Sequence, residues 1–168
     1  MSMIGAASLK RLKSLKGAGF AIHAMGELPT LAATGLYAEA SLTELAAGVQ
    51  EYEPRFPLYS DTLYKRRFIY LPEGGQIDAT QLELWTFPVG TKLWKEFRLG
   101  RGETSRILET RYMEKREGQW IFATYIWNEE QTEARLWSGD AIVGLASLRV
   151  PGPQGENQVG IDIPSYAQ

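Results

Sequence analysis

The chain has 168 residues, 44% hydrophobic and 23% charged, with a formal net charge of −2; this composition suits one folded domain and does not suit a disordered chain. It has no cysteine and one histidine, His23, which excludes disulfides, thiolate nucleophiles, cysteine-ligated zinc and multi-histidine metal sites built by this chain alone. The charge balance supplies no global basic field for nucleic acid, and no apolar run reaches the roughly 18 residues of a membrane-crossing helix.

Residues 1–26 form a basic arm. Lys10, Arg11, Lys13 and Lys16 stand there with no acid through residue 25, leaving 14 basic and 20 acidic residues in the rest of the chain. Ile4, Leu9, Leu12 and Leu15 roughly share one helical face, and Phe20 follows. A solvated tail, a helix docking on lipid headgroups or a partner, and an atypical export signal all fit this pattern. His23 reads as a tail histidine, because a Ser-His-Asp triad would need it buried beside a serine.

Residues 27–150 read as the folded body. Ser41–Gly48 has a capping serine, Glu44 at the capping-box position and a closing glycine, which predicts a short helix. Pro54 and Pro57 force an extended path over residues 52–59. From Lys65 onward the pattern predicts strands: Arg66–Leu71, Leu82–Phe87, Thr91–Leu99, Arg106–Glu114, Trp120–Asn128 and Glu133–Trp137, separated by Gly and Pro turns. Gly90 is expected at positive φ in a tight hairpin. In Thr91–Leu99, Leu93, Lys95, Phe97 and Leu99 share one face and Lys92, Trp94, Glu96 and Arg98 the other. Residues 141–150 fit a last strand or a short helix; residues 151–168 read as a Pro/Gly-rich loop and an extended tail. The expected fold is mainly β, an antiparallel β-sandwich or jelly roll with a short N-terminal helix and extended terminal arms.

Two constellations carry possible chemistry. Trp85, Phe87, Trp94 and Phe97 flank the Pro88–Thr91 turn. They make either core aromatics or, with Trp120, Trp127 and Trp137, an exposed platform for a sugar or a partner side chain. Lys65, Arg66, Arg67, Lys92, Lys95, Glu96, Glu109, Arg111, Glu129, Glu133 and Arg135 lie in or beside strands. Glu96 and Glu109 can meet across neighbouring strands as a glycosidase carboxylate pair, but a cross-strand ion-pair ladder with Lys92, Lys95 and Arg111 is the better reading. Trp85, Trp94, Lys95, Glu109 and Arg111 are the expected surface platform. No catalytic, metal or cofactor residues are expected.

Thr34-Gly35-Leu36-Tyr37, YEPRFPLYSD over Tyr52–Asp61, Lys65-Arg66-Arg67, WTFPVGTKLWKEF over Trp85–Phe97, LETR over Leu108–Arg111 and YIWNEEQTEA over Tyr125–Ala134 occur together. As a set they resemble an uncharacterised bacterial domain of secreted c-type cytochrome-like proteins, over roughly residues 31–137. In that family the domain runs on to an Ile-Pro-Ser segment and a Cys-x-x-Cys-His haem site. Ile163-Pro164-Ser165-Tyr166 is similar to the approach, and the haem motif is missing here. The resemblance therefore implies a setting beside redox machinery, on the periplasmic face of a bacterial membrane, without electron transfer by this chain.

The expectation is a non-catalytic accessory subunit of a redox or photosynthetic electron-transfer complex. Its partners would be other protein subunits, with a c-type cytochrome as one candidate, and no nucleic acid. It would dock through Lys10, Arg11, Lys13, Lys16, Phe20, Ile163, Pro164 and Tyr166, with lipid headgroups as a further contact of the N-terminal arm. The alternatives are a carbohydrate-binding module and a carboxylate-dependent glycoside hydrolase.

Overall fold

Runs of aromatic, β-branched and charged residues bounded by glycines set up extended chain after Tyr64. The computed structural model describes residues 28–39, 41–56, 63–100, 102 and 105–139, and the backbone of 142–152 and 155–163. The strands are β1 (Val49–Glu51), β2 (Tyr64–Tyr70), β3 (Lys92–Leu99), β4 (Arg106–Arg116), β5 (Gln119–Trp127), β6 (Ala134–Leu136), β7 (Ile142–Gly152) and β8 (Gly155–Ile163). The first six form one antiparallel sheet in sequential order β1-β2-β3-β4-β5-β6; β7 and β8 form a separate two-stranded ladder. The protein is thus mainly β. Its strand order is a meander, with none of the crossed connections of a jelly roll among the described strands.

One face of the sheet is the core. Phe68, Trp94, Tyr112, Ala123, Tyr125 and Trp127 are buried there, covered by the segment from Leu28 to Val49 through Leu31, Leu36, Tyr37, Leu42 and Leu45. A turn of 3-10 helix at Leu31–Thr34 ends in Gly35, whose φ of 79° is left-handed. Thr34 then accepts from the Trp94 indole at 2.9 Å, while its carbonyl accepts from Lys92 Nζ at 2.9 Å. On the outer face, Ile69, Leu93, Met113 and Phe122 are aligned across four strands.

Four sequence expectations change. The predicted helix at Ser41–Gly48 does not form. Ser41 Oγ does accept from the Thr43 and Glu44 amides, but Leu45 then pairs with Tyr37 in a β-bridge and its side chain joins the core. The chain instead enters β1, which the sequence pattern had not singled out. Leu82–Phe87 is not a strand: only Thr86 pairs, with Asp78, and Leu82, Leu84 and Trp85 are exposed. Gly90 has the expected positive φ, 90°, but its amide bonds to Lys115 O and starts β3 beside β4 rather than closing a hairpin with 82–87. Finally, the extended C-terminal segment is paired: β8 runs antiparallel to β7, with Ile163 opposite Ile142. No helix among the described residues is long and apolar enough to cross a membrane.

Candidate functional site

The two faces of β3 carry two different charged systems. On the core face, Glu96 is fully buried. The Tyr37 hydroxyl donates to Glu96 Oε1, and Arg98 Nη1 donates to Glu96 Oε2 at 2.9 Å. Arg98 Nε also donates to Ser105 Oγ at 3.2 Å. Arg66 stands opposite Glu96 in register; its Nε and Nη2 bond both oxygens of Glu51 at 2.8 and 2.7 Å, and its guanidinium lies over Phe68. Glu51, Arg66, Glu96 and Arg98 therefore alternate in sign across the core face, and Tyr37 closes the set from the covering segment. A buried carboxylate is tolerable when both oxygens are occupied by donors and one donor is a cation, as here with Tyr37 and Arg98. Burial, then the Glu96 charge, holds the Tyr37 hydroxyl well above the usual phenol range. The Arg66 bond holds the Glu51 carboxyl below its ordinary value.

On the outer face the cations are gathered in a row, with Glu109 the carboxylate bonded to it. Arg67 on β2, Lys95 on β3 and Arg111 on β4 stand directly opposite one another across three strands. Lys65 pairs in register with Phe97, and Phe97 with Glu109. Lys95 Nζ lies 4.7 Å and Arg111 Cζ 4.6 Å from the centre of the Phe97 ring, so both cations share one aromatic surface and bury it. Glu109 accepts from Arg111 Nε at 2.8 Å. Burial, then Lys65, Arg67 and Arg111, pulls the proton affinity of Lys95 down; Glu109 opposes this. Further along the face, Lys115 lies over Trp120 at 5.5 Å and Arg135 pairs with Glu133.

The expected site residues divide between these systems. Lys95, Glu109 and Arg111 do come together on the outer face. Trp94 does not join them: it is 2% exposed on the opposite face, packed on Tyr112. Trp127 is likewise buried, with its indole bonded to Thr110. Trp120 meets Phe87 edge-on at 5.5 Å. Trp85 is exposed, in the excursion between β2 and β3, so a platform combining Trp85 with Trp94 does not exist.

Glu96 and Glu109 are corrected as a pair. Glu96 pairs with Thr110, and Glu109 with Phe97, so the two carboxylates project to opposite faces of the sheet. They cannot flank one glycosidic bond. The ion pairs also differ from the expected cross-strand ladder. Arg98–Glu96, Arg111–Glu109 and Arg116–Glu114 each join residues two apart on the same strand, and Arg135 of β6 bonds Glu133 just ahead of that strand. This Glu-x-Arg spacing is visible in the sequence and is the signal for them; Tyr37, Glu51 and Arg98 are not among the expected site residues.

No family model, curated protein or solved structure matches this chain. The two faces of the sheet are therefore the ground for a functional reading. Lys10, Arg11, Lys13, Lys16, Phe20, His23, Pro164 and Tyr166 lie outside the described residues, and Ile163 is described only as backbone in β8.

Proposed function

We propose that this chain is a non-catalytic accessory module that docks anionic partners on the outer face of its sheet. The observation that supports the reading is the row Arg67-Lys95-Arg111, three cations abreast on a regular sheet, with Glu109 the carboxylate bound to that row. Charge arranged in this way serves encounter and orientation of a partner of opposite sign. Rigid strands hold it at fixed spacing, and the half-exposed strip Ile69-Leu93-Met113-Phe122 beside it adds apolar area to the contact.

The setting in this proposal is the one the resemblance implies: an assembly for electron transfer at the periplasmic face of a bacterial membrane, with a cytochrome-type subunit among the partners. The basic arm at residues 1–26 and the tail beyond β8 serve as further contacts. A sandwich completed around β7 and β8 belongs to the same proposal.

The test is cross-linking in native membranes, followed by mild-detergent purification and mass spectrometry. The expected result is co-purified subunits whose cross-links join Lys65 or Lys95 to acidic segments of the partner. Those links disappear when Arg67 and Lys95 are reversed to glutamate. Recovery of the chain alone, from the soluble fraction, overturns the proposal.

A further inference from the structure

Cross-strand neighbours of like charge destabilise a sheet when they stand directly opposite. Arg67, Lys95 and Arg111 make two such contacts in succession, Arg67 against Lys95 and Lys95 against Arg111. Neighbouring strands lie about 4.8 Å apart, so the three side chains spring from a line about 10 Å long, within reach of a single small anion. The Lys95 and Arg111 heads stay together on one ring, that of Phe97, and Glu109 fixes one edge of the Arg111 guanidinium. Lys65 adds a fourth positive charge at the adjoining register position. Nothing in the sheet's own packing requires this arrangement, since a neutral side chain at Lys95 would cover Phe97 as well.

We propose that Arg67, Lys95 and Arg111 form a receptor for a phosphate-class oxyanion. The stoichiometry of charge favours phosphate over a carboxylate. Arg67, Lys95 and Arg111 against Glu109 leave a local excess of about two, which a phosphate dianion neutralises and a carboxylate only halves. The shape agrees. Guanidinium groups on two sides take oxygens through paired N–H donors, and the lysine between them supplies a point charge. An anion seated there also restores to Lys95 the proton affinity that its neighbours take away. The phosphate can be carried by a soluble ester or by a lipid headgroup. This inference goes beyond the docking reading, in which acidic protein segments meet the face, by adding a phosphate ligand for the same cations, and the two fail separately.

The experiment uses the full chain. Lysine side-chain NMR follows Lys95 while inorganic phosphate is added, against sodium chloride at equal ionic strength, and thermal unfolding is recorded in both. Phosphate is expected to shift the Lys95 signals saturably, raise its pKa and raise the melting temperature beyond the chloride control. Lys95→Met and, independently, Arg67→Met are expected to weaken phosphate binding at least tenfold, whereas Lys115→Met, further along the same face, leaves it within twofold. Equal responses to phosphate and chloride overturn the proposal, as does a loss in Lys115→Met matching that in Lys95→Met. Glutarate binding where phosphate does not bind also overturns it, while leaving the docking reading intact. In a second arm, vesicles of phosphatidylglycerol and phosphatidylcholine are compared with pure phosphatidylcholine. Lys95-dependent binding to the former, displaced by phosphate, assigns the lipid source; phosphate binding without vesicle binding assigns a soluble ester.

Discussion

Glu96 and Glu109 sit on neighbouring strands within one register step of each other, yet one is sealed in the core and the other lies among cations on the outer face. Their environments predict different responses to the same substitution. Glu96→Gln removes the negative charge from between Arg98 and Arg66 and leaves the half-buried Arg98 guanidinium without its carboxylate. A loss of about 3 kcal/mol is expected, measured by urea denaturation. Glu109 is also buried, but the arginine it bonds is more than half exposed, so Glu109→Gln leaves a cation that water can solvate and should cost only about 1 kcal/mol. Equal losses in the two variants would contradict the placement of these carboxylates.

Tyr37 lies in the covering segment and Glu96 in the sheet, so their hydrogen bond ties the two layers together. Tyr37→Phe keeps the edge contact with Trp127, 6.5 Å between centroids, and removes only the donor to Glu96. The expected cost is about 1–2 kcal/mol. In a double-mutant cycle, Tyr37→Phe and Glu96→Gln should be strongly non-additive, because the first change loses most of its effect once the carboxylate is gone. Additive losses would show that the two side chains act independently.

Tyr37, Tyr112 and Tyr125 share one direction of pKa shift. Each is raised, with burial the first cause, and Glu96 and Glu114 raise Tyr37 and Tyr112 further. In the unfolded chain a tyrosine releases its proton near its ordinary value of about 10. The stabilisation is therefore fully present below about pH 10. It is lost as pH climbs above that value, where the unfolded state binds fewer protons than the folded state. Tyrosinate absorbance is expected to rise in two parts: a gradual one from the more accessible tyrosines, and a cooperative step coincident with loss of the far-ultraviolet β signal. A smooth titration of all eight tyrosines in a chain that stays folded would refute this.

The strands were legible because their neighbours supply what alternation promises. Five of the six expected strands after Lys65 appear with ends shifted by only one or two residues. The failures have local causes. Ser41 makes its capping bonds, but two turns of helix are too short to be stable without packing, and Leu45 packs better against the bridge to Tyr37. Leu82–Phe87 has strand-like residues but no neighbouring strand to pair with beyond the Asp78–Thr86 bridge. The candidate site was legible only in part, because register decides it. Lys95, Glu109 and Arg111 were expected together. That Arg67 joins them, and that Glu96 turns to the other side to meet Tyr37, depends on contacts between residues as far as 59 positions apart.

Lys95 is the position where the cost of the outer row is concentrated, so its removal should stabilise the protein in the absence of phosphate. Lys95→Met keeps an apolar stem over Phe97 and abolishes both opposed like-charge contacts. A gain of about 0.5–1 kcal/mol is expected at neutral pH and low salt. The gain should shrink as sodium chloride rises and the Debye length falls to about 3 Å near 1 M. The pH dependence follows from the lowered proton affinity of Lys95 in the fold. Below its folded value the residue is charged in both states and the repulsion is fully felt. Between that value and the ordinary lysine value of about 10.4, the unfolded chain holds more protons, so wild-type stability rises with pH. Lys95→Met lacks this rise, and the stability difference between the two proteins should narrow as alkaline conditions discharge Lys95. A difference independent of both salt and pH would mean that the substitution acts through packing on Phe97 and not through charge.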